Sequence, residues 1–92
     1  MIYYGIPTYQ RPEKQLTLDY LESVGVSREQ IIMSVQTQAD CDEYIRRGYD
    51  KRVGKFLFRE AHNLSGNANT IFDSLPENAR IIIMDDDIKH IS

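Results

Sequence analysis

Four short apolar runs, separated by segments with helical signals, most constrain how this chain can fold. The runs occupy residues 2–6, 30–35, 55–59 and 80–84, and short apolar runs bounded by turn residues are typical of strands. Strands that alternate with helices pair in parallel through right-handed crossovers. We therefore predict a single α/β domain over residues 1–92, built on an open parallel sheet of about four strands in the order β-α-β-α-β-α-β.

The segments between the runs carry the start and stop signals of helices. In the first segment, Pro12 is predicted in the first turn of a helix, and Gly25 lies just past its end. In the second segment, Asp40 is the predicted cap. In the third, either Asn63 or Ser65 can cap the helix.

The last apolar run leads directly into three aspartates. Residues 81–84 are apolar without alternation, which predicts a strand that helices cover on both faces. Since side chains alternate along an extended chain, we expect Asp85 and Asp87 on one side and Asp86 on the other. Ligands of open parallel sheets bind beyond the carboxyl ends of the strands, and oxygen ligands select hard cations. The run predicts a site for Mg²⁺ or Mn²⁺; an acidic loop that caps a following helix is the alternative.

The loop after the first strand offers groups for a phosphate and a base. Thr8 can donate its hydroxyl, Tyr9 can stack on a base or pack, and Arg11 can pair with a phosphate. In the simpler interpretation, Thr8 is a turn residue, the Tyr9 ring packs against the protein and Arg11 is a surface charge. The segment that follows the second strand contains four side chains that can hydrogen-bond a base edge: Gln36, Thr37, Gln38 and Asp40. The alternative is that Asp40 simply caps the second helix.

Other polar residues admit both a functional and a structural interpretation. Gly66, Asn67 and Asn69 open the third helix, where glycine allows a ligand to approach the backbone N–H groups or simply starts the helix. His90 follows Asp87 closely enough to reach the same cation, or lies on the surface. Six of the eleven Lys and Arg residues fall within residues 46–59. They could form a contact for phosphate or for an acidic partner, and a solvated surface is the alternative.

Charge and cysteine content restrict the partners and the compartment. The net charge of −3 argues against nucleic acid as the main partner, because phosphate binding needs a concentrated basic surface. Cys41 is the single cysteine, so no intramolecular disulfide can form and a reducing, cytoplasmic location is expected. No apolar run approaches the roughly 20 residues that span a bilayer, and a membrane association is not expected.

Taken together, these motifs resemble the nucleotide-binding half of a GT-A glycosyltransferase. The matching pieces are residues 6–12 after the first strand, residues 66–69 at the start of the third helix, and residues 82–87 as the Asp-x-Asp motif. The resemblance covers nearly the whole chain. It implies a Rossmann-like half-fold with sheet order 3-2-1-4, a nucleotide-sugar of the UDP or GDP type, and a Mn²⁺ or Mg²⁺ ion that bridges the diphosphate.

The resemblance also implies roles for individual residues. Asp85 would face the ribose or the metal, and Asp87 would be the main metal ligand. The first loop would contact the nucleoside diphosphate, and Asp40 is the candidate for the base. The full set implied to bind the nucleotide-sugar is Pro7, Thr8, Tyr9, Arg11, Asp40, Gly66, Asn69 and Asp85.

The end of the chain at Ser92 bears on both activity and assembly. Enzymes of this family continue into a second half that binds the acceptor and supplies the base of inverting members, so we expect a truncated domain without assigned catalytic residues. Truncation would leave residues 81–84 as an exposed edge strand, which predicts a homo-oligomer or a protein partner that covers it. A small non-catalytic binding or inhibitor module, which reuses the half-fold to bind a protein, is the alternative function.

Overall fold

The structure is a computed structural model that describes residues 2–10, 12–61 and 63–85. The described strands differ from the predicted apolar runs by one residue at one end. Two single turns of 3₁₀ helix, Arg28–Gln30 and Tyr49–Lys51, precede the second and third strands. The strands and helices are β1 (Ile2–Pro7), α1 (Leu16–Ser23), β2 (Ile31–Val35), α2 (Gln38–Arg46), β3 (Lys55–Phe58), α3 (Leu64–Ser74) and β4 (Arg80–Ile83).

The four strands form one sheet in which all pairs are parallel. Its order is β3-β2-β1-β4, which confirms the predicted fold class and strand order. β1 is therefore an inner strand, with Gly5 level with Ile32 on one side and with Ile83 on the other. Since the chain moves one way across the sheet up to β3 and then returns to β4, right-handed crossovers place α1 and α2 on one face and α3 on the other.

The main core lies between the sheet and the pair α1 and α2. Leu18 and Leu21 of α1 and Tyr44 of α2 pack there with Ile6 and Met33 of the sheet. All five residues of β2 are buried, because this inner strand is covered on both faces. Its alternate residues turn to α3, and a hydrogen bond from Ser34 to α3 marks that face.

β4 does not have the burial that its sequence predicts. Ile82 is 46% exposed and Ile83 is 37% exposed, although the unbroken apolar run predicts a strand covered on both faces. The reason is position: β4 pairs with β1 on one side, and within the described residues no strand pairs with its other side. The same kind of apolar run is thus buried in β2 and exposed at the edge of the sheet.

The helix starts correct two predictions. Thr37, not Asp40, caps α2, because the Thr37 hydroxyl accepts a hydrogen bond from the Asp40 N–H at 3.2 Å. Pro12 lies in a turn and not in the first turn of α1, which begins at Leu16. The first helical hydrogen bond runs from Asp19 N–H to Gln15 O, so residues 8–15 form a longer connection than predicted.

The start of α3 and the end of α1 agree with the predictions. Asn63 caps α3, where its side-chain oxygen accepts a hydrogen bond from the Gly66 N–H at 2.8 Å. Gly25 follows α1 with a φ of +86°, the left-handed conformation that glycine adopts without a Cβ clash. Within the described part of the chain, no helix is long and apolar enough to cross a membrane.

Replacing Gly5 with alanine should destabilise the fold. An added Cβ would lie 2.9 Å from Ile83 Cδ1 and 3.1 Å from Ile71 Cγ2, so the Ile83 side chain would have to rotate and the Ile71 side chain would have to shift. We expect the Gly5→Ala variant to lose about 1–3 kcal/mol in the free energy of unfolding, measured by urea denaturation. Lys14→Ala, a change at an exposed position, is the control and should stay within about 0.5 kcal/mol. Equal stability of the two variants would contradict this close approach.

Candidate functional site

The chain leaves β1 through residues 8–10, here called the β1 exit loop, whose first residue is completely buried. Thr8 is 0% exposed, and its N–H donates to Ser34 O at 2.9 Å, which extends the pairing with β2. Its hydroxyl lies 2.8 Å from the Tyr44 hydroxyl and accepts a hydrogen bond from Gln15 Nε2 at 3.0 Å. Residues of β2, α2 and the start of α1 therefore hold Thr8 in place.

The opposite face of the sheet also contributes a hydrogen bond to this residue. Asn67 of α3 is 0% exposed, and its Nδ2 donates to Thr8 O at 3.1 Å. The Asn67 side-chain oxygen accepts a hydrogen bond from the Ser34 hydroxyl. The backbone N–H, the backbone carbonyl and the side chain of Thr8 thus all have partners, as buried polar groups require.

The loop then passes through a backbone conformation that non-glycine residues rarely adopt. Gln10 has a φ of +54°, and its N–H donates to Asp40 Oδ2 at 2.8 Å. Such a conformation costs on the order of 1 kcal/mol and persists where surrounding contacts impose it. Asp40, which is 6% exposed, supplies that contact from the first turn of α2. Between the two fixed residues, Tyr9 is 41% exposed.

These positions give several predicted site residues a structural context. Pro7 ends β1 and is buried, Thr8 is an interior residue, and Tyr9 is the exposed side chain of the β1 exit loop. Asp40 supports the loop backbone, so one of its oxygens is already in use. Arg11 lies outside the described residues. Contacts of these side chains with a ligand stay predictions.

The end of β4 reaches the same edge of the sheet as the β1 exit loop. Met84 N–H donates to Gly5 O at 2.8 Å, so the chain still runs beside β1 as it approaches Asp85. The Asp85 carbonyl accepts a hydrogen bond from the Thr17 hydroxyl of α1, and the residue is exposed. Asp87, the predicted partner of Asp85, lies outside the described residues, as do Asp86 and His90.

Asp85 is the residue of the acidic run that the structure describes, and a cation held there would need further ligands. Among residues 2–10, 12–61 and 63–85, no group of three or more His, Cys, Asp or Glu side chains is placed to hold a metal ion. A fully protein-ligated ion therefore does not fit these residues. The role of Asp85 in holding a cation stays a prediction; Mg²⁺ typically binds one or two carboxylates together with phosphate oxygens and water.

A cavity of about 370 Å³ lies at the carboxyl ends of β2 and β3. Its lining is Gln36, Thr37, Gln38, Glu60 and Ala61, which includes three of the four residues predicted to reach a base edge but not Asp40. The Gln36 side chain is 5% exposed, and its Oε1 has no hydrogen-bond partner within the described residues. The cavity is open, its lining is about equally polar and apolar, and it joins the start of α2 to the loop after β3.

The start of α3 has a structural explanation. The Gly66 N–H is occupied by the Asn63 side chain, and a Cβ on Gly66 would lie 3.0 Å from the Ala61 Cβ. Glycine thus lets the helix begin close to the loop after β3. Asn69 lies on the exposed side of α3. The predicted contacts of Gly66 and Asn69 with a ligand stay predictions.

The basic residues between positions 46 and 59 are largely engaged in surface ion pairs. Arg46 and Arg47 both form ion pairs with Glu43. The hydrogen bond from Arg46 and, to a smaller extent, the one from Arg47 lower the pKa of Glu43 from 4.5 to about 2. Arg52 pairs with Asp19 and Glu22, and Arg59 pairs with Asp73. These pairs favour the solvated-surface interpretation over a phosphate contact.

Three supporting residues were not among the sequence-based candidates: Gln15, Ser34 and Tyr44. Ser34 carries a usable signal, because it is the polar residue within an otherwise apolar strand. Asn67 was singled out with Gly66 and Asn69 at the start of the third helix, but its burial and its hydrogen bonds to Thr8 and Ser34 were not predicted. Tyr44 belongs to the apolar side of α2, and a core tyrosine is the ordinary interpretation of such a residue.

Removing the Tyr44 hydroxyl should destabilise the β1 exit loop. In Tyr44→Phe, Thr8 loses its partner at 2.8 Å and Gln15 loses one at 3.4 Å. We expect a loss of about 1–3 kcal/mol in the free energy of unfolding, measured by urea denaturation, because these polar groups stay buried. Tyr20→Phe is the control, since Tyr20 is partly exposed and no described residue bonds its hydroxyl. A Tyr44→Phe chain as stable as this control would show that the hydroxyl is dispensable.

Comparison of the chain with protein-family models, with curated proteins and with solved structures found no match in any of the three.

Proposed function

We propose that this chain is the donor-binding part of a metal-dependent glycosyltransferase and that it binds a nucleotide-sugar of the UDP or GDP type. The observation that carries the proposal is the β1 exit loop, which is held from both faces of the sheet. It lies at the carboxyl edge beside the end of β4, where the crossovers change from one face to the other. Open parallel sheets bind ligands at such a switch point.

The residues at this edge offer the chemistry that a nucleoside diphosphate needs. Tyr9 offers an exposed ring on which a base can stack. The cavity at the ends of β2 and β3 offers side-chain groups that can hydrogen-bond a base edge. Because contacts within the protein already fix the loop, less conformational entropy is lost when a ligand binds.

The acidic run supplies the cation site in this proposal. Asp85 and Asp87 would hold Mn²⁺ or Mg²⁺ together with the diphosphate oxygens, and the ion would offset the charge of the leaving diphosphate. Arg11 would add a positive charge to the same group. We assign no residue to acceptor binding or to a catalytic base. The single thiol of Cys41 fits a cytoplasmic location.

Calorimetric titration with UDP and with GDP, each in the presence of MnCl₂, tests the proposal. We expect one of the two to bind, and chelation of the metal with EDTA should weaken binding at least tenfold, about 1.4 kcal/mol. Asp87→Ala and Asp85→Ala should have the same effect, because each removes a carboxylate from the cation site. Glu77→Gln removes one exposed negative charge away from the site and should leave the affinity unchanged.

The absence of heat with both nucleotides in the presence of Mn²⁺ would refute this function. Binding that EDTA does not weaken would instead refute the role of the acidic run as a cation site.

A second candidate function is protein binding through the edge of β4. Ile82 and Ile83 are exposed there, and within the described residues the outer edge of the strand has no β partner. Unpaired edges of this kind bind a further strand through their backbone groups. The partner that we propose is a second copy of this chain, and a different protein is the alternative.

Light scattering during size-exclusion chromatography tests self-association at increasing protein concentration. We expect the mass to rise toward that of a dimer, and Ile82→Lys should return it to that of a monomer, because a lysine on an edge strand opposes pairing. Circular dichroism of the variant should be unchanged, since Ile82 is already 46% exposed. A parent chain that remains monomeric at every concentration would contradict this assembly.

A further inference from the structure

Asn67 makes contacts that the start of a helix does not require. Helix capping at this end is already provided by Asn63. Asn67 instead turns into the interior, where it is 0% exposed and bridges two strands. Its Nδ2 donates to Thr8 O at 3.1 Å, while its Oδ1 accepts the hydroxyl of Ser34 on β2.

We infer that Asn67 is a positioning residue for ligand binding, because it holds the Thr8–Tyr9 peptide group in the orientation that presents the Tyr9 ring. This inference rests on the proposed function, since it assigns Tyr9 to the ligand. It concerns a residue that would not touch the ligand, and it adds α3 to the elements on which the binding site depends.

The peptide group between Thr8 and Tyr9 is the point at which the loop leaves the sheet. Before it, Thr8 N–H is held by Ser34 O at 2.9 Å. After it, Gln10 N–H is held by Asp40 at 2.8 Å in a left-handed conformation. Rotation about the Cα–C bond of Thr8 would carry its carbonyl away from Asn67 and would displace the Cα atom of Tyr9, and the ring with it. The hydrogen bond from Asn67 to the Thr8 carbonyl opposes that rotation.

Only a carboxamide satisfies both ends of this arrangement. The end that faces Thr8 must donate, because its partner is a carbonyl, and the end that faces Ser34 accepts a hydroxyl proton. Aspartate has the same size but lacks the donor, so its second oxygen would face the Thr8 carbonyl. The geometry therefore separates two variants: Asn67→Asp removes the contact with the loop, and Ser34→Ala removes the contact with β2.

Amide NMR signals of the loop provide a test that needs no ligand. In Asn67→Asp, the signals of Tyr9 and Gln10 should move, while those of β3 stay in place. Ser34→Ala should leave the Tyr9 signal close to its parent position, because the Asn67 to Thr8 hydrogen bond and the backbone carbonyl of Ser34 remain. If the buried carboxylate prevents folding, Asn67→Ser removes the same donor without adding a charge.

Affinity for UDP and GDP in the presence of MnCl₂ provides the second measurement. The Asn67 variant should bind at least about tenfold more weakly, as is usual when a supporting hydrogen bond is lost. Leu21→Ala is the control for a loss of stability. Leu21 is a buried core residue of α1, and it takes no part in the hydrogen bonds that hold the β1 exit loop. At temperatures where both variants are fully folded, the control should keep the parent affinity.

The outcomes separate this inference from the proposed function. Unmoved Tyr9 and Gln10 signals in the Asn67 variant, or an affinity equal to that of Leu21→Ala, would overturn the positioning role. If the parent chain binds neither nucleotide, the proposed function fails, and the inference that Asn67 positions Tyr9 for a ligand fails with it. Moved loop signals in that case would show that Asn67 has a structural role alone.

Discussion

The constraint on which the site depends is the complete burial of Thr8 at the end of an inner strand. A buried residue must satisfy its backbone N–H, its backbone carbonyl and its hydroxyl within the protein, because water cannot reach them. Four different elements supply those partners: β2 through Ser34, α2 through Tyr44, the start of α1 through Gln15, and α3 through Asn67. Each helix is consequently tied to the same short piece of backbone, and the shape of the loop is a property of the whole sheet and its two helical layers.

The loop joins a rigid beginning to an exposed tip within three residues. Thr8 is 0% exposed and Tyr9 is 41% exposed, and Asp40 holds Gln10 in a left-handed conformation immediately afterward. A surface ring on such a backbone has few orientations to lose. The acidic residue Asp85 reaches the same edge, because β4 continues beside β1 as far as Met84. An aromatic ring and a carboxylate therefore lie at adjacent strand ends, and our proposal of nucleotide-sugar binding rests on this arrangement.

Local sequence signals were sufficient for the four strands, their parallel pairing and the end of α1 at Gly25, because apolar runs and glycine positions are short-range features. They narrowed the cap of α3 to Asn63 or Ser65 but misplaced the starts of α1 and α2, and the strand order was implied by the resemblance. The apolar run alone predicts that Ile82 is buried, because such a run has the same appearance at the centre and at the edge of a sheet; its exposure follows from the edge position of β4, which the sequence analysis expected on other grounds. The role of Asp40 was also beyond local signals: it depends on a loop that lies 30 residues away in sequence and returns to it in space.

The hydrogen bonds of the β1 exit loop have a consequence for the order of folding. Thr8 is separated by 36 residues from Tyr44 and by 59 from Asn67, and Gln10 is separated by 30 from Asp40. Contacts of such long sequence separation form late, because the closure of large chain loops must precede them. During synthesis, the first strand would leave the ribosome long before α3 exists to complete its surroundings. The loop can acquire its final shape only when α3 has docked, because Asn67 of that helix supplies the partner of the Thr8 carbonyl.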